Sequence, residues 1–84
     1  MFKDIIIGRS VRIADSKDPS LRGRSGTVVD ETKNTILVRE NEGTVIRVPK
    51  SVVTLNIYPS DMRRPSILVA GHELLATPEE RIKG

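Results

Sequence analysis

Gly26-Thr27-Val28-Val29-Asp30-Glu31-Thr32-Lys33-Asn34-Thr35-Ile36-Leu37-Val38 holds two β-rich runs and the turn that joins them. Val28, Val29, Ile36, Leu37 and Val38 are β-branched or bulky aliphatic residues, which suit a pleated, half-buried surface. Residues 30–34 supply Asp, Thr and Asn side chains that hydrogen-bond nearby backbone and so favour a turn. The stretch predicts a hairpin with strands at about 26–30 and 35–40. The other elements are expected to add strands to it.

Upstream, Val11 and Ile13 alternate with Arg12 across residues 9–14, the pattern of an antiparallel strand with one face in solvent. Residues 15–23 read as a loop from Asp18-Pro19-Ser20, with Leu21 as its large apolar anchor. Downstream, Asn41-Glu42-Gly43 predicts a tight connection in which Gly43 is left-handed, and residues 44–48 form the next strand. Pro49 has no N–H for a ladder and ends that strand, after which Lys50-Ser51 turns the chain into a strand at 52–58, closed by Pro59. Residues 60–65 form a polar loop, 66–70 a short sixth strand, and Gly71-His72-Glu73 a turn leading to Leu74 and Leu75, both expected to be buried. Near the start, Phe2, Ile5 and Ile6 have the spacing of a short helix that would cover a barrel end, or else the isoleucines begin the first strand. In the tail, Thr77, Pro78 and Glu80 have capping-box spacing and predict about one helical turn.

Five to six short strands in 84 residues leave bare edges unless the sheet curls on itself. The expectation is an all-β fold: a small, strongly curved antiparallel β-barrel, one domain over residues 1–84, with a short C-terminal helical turn. Strand parity puts Val11, Ile13, Val28, Ile36, Val38, Ile46, Val48, Leu55 and Ile57 inside. Arg12, Arg39 and Arg47 then lie outside, as do Val29, Leu37 and Val45.

A chain of this length buries only about 60–65 per cent of its unfolded surface, so packing and sheet pairing must carry the fold. It has no cysteine for disulfides and only one histidine, which excludes the usual structural zinc sites, and no cofactor is expected. No apolar run is long enough to span a membrane and no signal peptide is legible, which predicts a cytoplasmic protein. Fourteen Lys and Arg against eleven Asp and Glu give a net charge of +3, favouring polyanionic partners. With one Tyr and one Phe, stacking of bases on an aromatic platform is unsupported, so nucleic acid would be held through phosphates and shape.

The cations divide by position. Arg12, Arg39 and Arg47 alternate with core residues, and a solvated sheet face explains them. Arg22, Arg24, Lys33, Arg63 and Arg64 sit in loops, where a fixed scaffold presents them to phosphates, and Arg81 and Lys83 in the tail complete the candidate RNA-binding set. Asp30 and Glu31 are adjacent carboxylates but read as turn residues rather than metal ligands, with Asp30 and Asn34 fixing the loop so that Lys33 projects. His72, between Gly71 and Glu73, has no Ser or Cys partner in sequence and reads as an exposed turn residue, so no catalytic residue is assigned.

Ile7-Gly8, the Gly26-Thr27-Val28-Val29-Asp30-Glu31-Thr32-Lys33-Asn34-Thr35 block, Arg47-Val48-Pro49-Lys50 and Pro78-Glu79-Glu80-Arg81-Ile82-Lys83 together resemble the archaeal ribonuclease P protein component 1 family. The resemblance covers nearly the whole chain. It implies an Sm-like barrel that serves as a non-catalytic, RNA-binding subunit of ribonuclease P, the enzyme whose RNA matures the 5′ ends of transfer RNA. It also implies ribonuclease P RNA and other protein subunits as partners, especially a small zinc-binding subunit, for which Val29, Leu37 and Val45 beside Arg39 and Arg47 offer a surface. The same block is similar to the first Sm motif, which leaves an Sm-like RNA chaperone ring as an alternative. Ala70-Gly71 stands where ring-forming Sm proteins carry Arg-Gly or Lys-Gly, so a monomer is expected when isolated. A third reading, a purely protein-binding barrel, would use Val29, Leu37 and Val45 and ignore the basic loops.

Overall fold

A computed structural model describes residues 6–59 and 63–75. Its strands are β1 (Ser10–Ser16), β2 (Ser25–Glu31), β3 (Thr35–Arg39), β4 (Val45–Pro49), β5 (Val53–Ile57) and β6 (Ile67–Ala70). Three short 3-10 turns connect them: η1 (Pro19–Leu21), η2 (Lys50–Val52) and η3 (Gly71–Leu74). Among the described residues there is no α-helix. The helical readings at Phe2 and Ile5 and at Thr77 to Glu80 lie outside the described residues, while Ile6 is fully buried.

The strands form one antiparallel sheet in the order β4-β3-β2-β1-β5-β6, and the predicted hairpin is its β2–β3 pair. The turn of that hairpin is held differently from expectation. The Thr32 amide donates to the Thr35 carbonyl at 2.9 Å, the Thr35 amide donates to Thr32 Oγ1 at 3.1 Å, and the two hydroxyls meet at 2.6 Å. Among the described residues Asp30 Oδ1 accepts from the adjacent Glu31 amide at 2.8 Å, and Asn34 contributes its backbone carbonyl to the Lys50 amide. The threonine pair, rather than Asp30 and Asn34, therefore fixes the loop. Gly43 is left-handed (φ 100) as expected, which lets its amide reach the Glu40 carbonyl at 2.8 Å and reverse the chain into β4.

Two bulges change the parity on which the core was read. The β1–β5 register shifts between Ile13 and Asp15, and the β2–β3 register between Val28 and Asp30. An extra residue in one strand turns the following side chains to the opposite face. Ser16 and Glu31 consequently point inward, and Val29, expected to be exposed, is half-buried. All the residues predicted to be inside are buried except Ile46, which is half-buried against the core. Ile6, Leu21, Val53, Val69 and Leu74 complete the cluster, and Leu75 is half-buried rather than buried.

The connection from β4 to β5 shows how strongly the sheet curls. On a flat sheet these strands would stand about 19 Å apart, at ~4.8 Å per strand spacing, yet the three residues of η2 join them, a turn that advances about 6 Å. The outer strands β4 and β6 are not ladder partners. What ties their ends together is Lys50, whose side chain is fully buried. Its Nζ donates to Glu31 Oε2 and the Thr32 carbonyl at 2.6 Å each, to the Leu74 carbonyl at 2.8 Å and to the Lys33 carbonyl at 3.2 Å. One ammonium thus joins the end of β4, the β2–β3 turn and the η3 turn that follows β6. A buried charge carries a desolvation cost of several kcal/mol, which here is offset by a carboxylate and a ring of carbonyls at short range. Gly71 belongs to the same junction: a Cβ there would collide with the Lys50 carbonyl, so only glycine lets η3 approach η2 this closely.

Candidate nucleic-acid interface

The β1–β2 loop is a braced platform. Asp18 caps η1, accepting from the Ser20 amide at 3.0 Å and the Ser20 hydroxyl at 2.8 Å, while Pro19 opens the turn and Leu21 is buried beneath it. The Ser20 hydroxyl, then the Ser20 amide, and beyond them the Arg24 charge hold the Asp18 carboxyl below its usual range. Ser16 Oγ accepts from the Asp18 amide at 3.0 Å, so the loop is tied to the end of β1 at both ends of its cap.

On this platform Arg22 and Arg24 are exposed but not unengaged. Arg22 Nε donates to the Ser16 carbonyl at 3.0 Å and lies 3.1 Å from Asp15 Oδ1. Arg24 Nη1 is 3.6 Å from Glu40 Oε1. Both arginines line a shallow groove against the β3–β4 turn, where Glu40 and Glu42 face them. The sequence pattern treated each arginine as an isolated loop charge. The carboxylates come from a segment some fifteen residues on, which is why the pairing was not legible.

Lys33, Arg63 and Arg64 do not line that groove. Lys33 lies at the far end of β2 from Arg24, roughly 20 Å of strand away at ~3.3 Å per residue. Its side chain is exposed beside the β2–β3 turn that Lys50 braces. Arg63 and Arg64 are exposed just before β6, and Arg63 has polar interactions of its own. Arg81 and Lys83 lie outside the described residues. The described members of the candidate RNA-binding set are therefore distributed over several loops.

The outer sheet face is more coherent. Register places Leu37 opposite Arg47 and Arg39 opposite Val45, so the four form a square with apolar and basic residues on its diagonals. Arg12, Arg39 and Arg47 are exposed, Val45 is 51% exposed, and Leu37 and Val29 are half-buried. Larger apolar exposure occurs where sequence alternation gave no signal, at Ile67 and Leu68 of edge strand β6, which are 51% and 64% exposed.

The adjacent carboxylates Asp30 and Glu31 diverge: Asp30 is exposed, while Glu31 is buried against Lys50. Among the described residues no group of three or more His, Cys, Asp or Glu is arranged to hold a metal. No helix among them is long and apolar enough to cross a membrane.

Comparison with known proteins agrees with this architecture. The family model for ribonuclease P/MRP, subunit p29, matches residues 1–84. The chain is 41% identical over 86 residues to ribonuclease P protein component 1 of Methanothermobacter thermautotrophicus, covering 99% of this chain and 87% of that protein. To the protein of the same name from Methanocaldococcus jannaschii it is 32% identical over 78 residues, covering 93% of this chain and 79% of the relative. A solved structure of Mth11, described as a homologue of human RNase P protein Rpp29, matches with a TM-score of 0.65 at 39% identity, covering 94% of this chain and 99% of that one. With the family model matching residues 1–84 and the structural match covering 94% of the chain, this protein belongs to the ribonuclease P/MRP subunit p29 family.

Proposed function

We propose that this chain is a non-catalytic, RNA-binding protein subunit of ribonuclease P that supports RNA-catalysed 5′ maturation of precursor transfer RNA. The observation that carries the reading is the full-length match to the subunit family. The structure supports it in kind. Basic side chains sit on braced loops, a geometry suited to holding phosphates without reorganisation. A Cys-His pair for nucleophilic catalysis is excluded by the lack of cysteine, and the single histidine, His72, lies in an exposed turn with no hydrogen bond to a serine among the described residues. In this reading the RNA performs the chemistry, and the protein neutralises phosphate repulsion and stabilises the folded RNA. The partner surface is the square of Leu37, Arg39, Val45 and Arg47 with Val29 beside it, which receives the small zinc-binding subunit of the same enzyme.

Reconstitution tests the assignment. Adding the chain to ribonuclease P RNA and the remaining protein subunits should increase cleavage of precursor transfer RNA, while the chain freed of RNA should give none in magnesium. Cleavage by the protein alone, or reconstituted activity indifferent to its presence, would overturn the reading.

A further inference from the structure

Arg22 lines a second depression besides the groove it shares with Arg24. This one, about 480 Å³, lies between the end of β1, η2 and η3, and Asp15, Lys17, Arg22, Ser51, Thr54 and His72 contribute to its walls. Its walls are fixed to one another. The Lys17 amide donates to the Val52 carbonyl at 2.9 Å, joining β1 to η2, and the Thr54–Ala70 pairing with the close approach of Gly71 joins η3 to both.

The donors facing this notch are in large part uncommitted. Arg22 uses only Nε within the protein, so its terminal guanidinium nitrogens make no hydrogen bond among the described residues. The Lys17 ammonium, the His72 ring and the Ser51 and Thr54 hydroxyls likewise have no side-chain partner there. The single carboxylate of the notch, Asp15, is occupied by Arg22 and by the Ser16 amide at 2.8 Å. It therefore orients the guanidinium and leaves the Lys17 charge uncompensated. In the neighbouring groove Glu40 and Glu42 stand against Arg22 and Arg24, and no excess of positive charge results. The residues that line this open cleft carry an ammonium, a guanidinium, an imidazole and two hydroxyls, the donor types of an oxyanion site. No Phe, Tyr or Trp side chain lines the cleft, so it offers no broad platform for stacking bases.

We infer that this notch is a phosphate-binding site for the RNA backbone, with Lys17 and Arg22 as its charged ligands, His72, Ser51 and Thr54 as hydrogen-bond donors, and Asp15 as the residue that positions Arg22. The inference rests on the reading of the chain as an RNA-binding subunit and assigns that contact to a specific place. It shifts the weight from Arg24 and Lys33 to residues drawn from three separate segments.

The test measures binding of a ribonuclease P RNA transcript to the full chain over a range of salt concentrations. Each lost phosphate contact flattens the log-log slope by about 0.7–0.9, so Lys17→Gln with Arg22→Gln should flatten it by about 1.4–1.8. Lys17→Gln alone removes an exposed, unbonded ammonium and should flatten it by about 0.7–0.9, which keeps the test valid if the double variant fails to fold. Arg12→Gln, on the outer sheet face, should leave the slope unchanged. A wild-type slope retained in both notch variants would overturn the inference while RNA binding itself stood. No salt-dependent binding by the wild type would instead overturn the functional reading on which the inference rests. A nitrogen-15-labelled chain separates RNA from free anion: amides of Ser51, Thr54 and His72 should shift on adding the transcript at concentrations where inorganic phosphate has little effect. Saturation of those shifts by inorganic phosphate, with no response to the transcript, would identify a free-phosphate site and refute the assignment to RNA.

Discussion

Replacing Lys50 with Met tests whether one buried ammonium closes this sheet. The substitution keeps most of the side-chain volume but removes the ion pair to a fully buried Glu31 carboxylate and a donor to the Thr32, Lys33 and Leu74 carbonyls. Breaking a buried ion pair from one side typically costs about 3–5 kcal/mol, because the remaining charge stays desolvated. An 84-residue chain has a total stability of about 4–13 kcal/mol. The loss is therefore a large fraction of the whole, and at about 4–8 °C per kcal/mol the melting temperature should fall by roughly 12–40 °C. Urea denaturation followed by circular dichroism measures it. Lys50→Met with Glu31→Leu removes both charges and should recover part of the loss, but not all, since the carbonyl acceptors still lose the ammonium's hydrogen bonds. Hydrogen exchange should quicken in η3, which loses its tie to the β2–β3 turn. A cost of Lys50→Met below about 1 kcal/mol, or a double variant no better than the single, would refute the assignment of closure to this ion pair.

Three further outcomes follow from the same geometry. The Asp18 carboxyl is held below the ordinary value of 3.8, so its contribution to the η1 cap is present above that value and is lost as pH falls through the lower folded value. Ser20 amide exchange, corrected for its intrinsic pH dependence, should thus be constant from neutral pH to about 5 and gain an extra loosening only in stronger acid, and Asp18→Asn should abolish that step. At the proposed partner surface, Val45→Asp alters an exposed side chain and should leave the fold intact, within ordinary surface effects of about 0.5 kcal/mol, while weakening binding to the proposed zinc-binding partner subunit in calorimetry. Unchanged affinity would move the interface elsewhere, the exposed Ile67 and Leu68 edge being the next surface to probe. Light scattering of the isolated chain should give a monomer mass, and a stable hexamer or heptamer at micromolar concentration would favour the chaperone-ring alternative.

By itself, the sequence determined the features that depend on near neighbours. Alternation with period two marked the strands and most of the inward-facing residues, though not Val53, Val69, Ser16 or Glu31, because a half-buried sheet imposes that pattern locally. Gly43 and Pro49 marked a turn and a strand end for reasons contained in a single residue's backbone. Family membership was legible for a related reason, since a contiguous block such as residues 26–35 is specific even without a structure. Tertiary structure decided whatever joins distant segments. Bulges at Ala14 and Val29 reversed the parity beyond them, and they arise from how strands twist against their neighbours, which alternation within one strand does not encode. Lys50 read as an ordinary turn lysine because its acceptors lie seventeen to twenty-four residues away, and only the curl of the sheet brings them to one point. The candidate site divided in the same way. Arg22 was identifiable as a loop cation, but its setting beside Lys17, Ser51, Thr54 and His72, and the quenching of Arg24 by Glu40, required the chain to fold, because charges far apart in sequence interact through space alone.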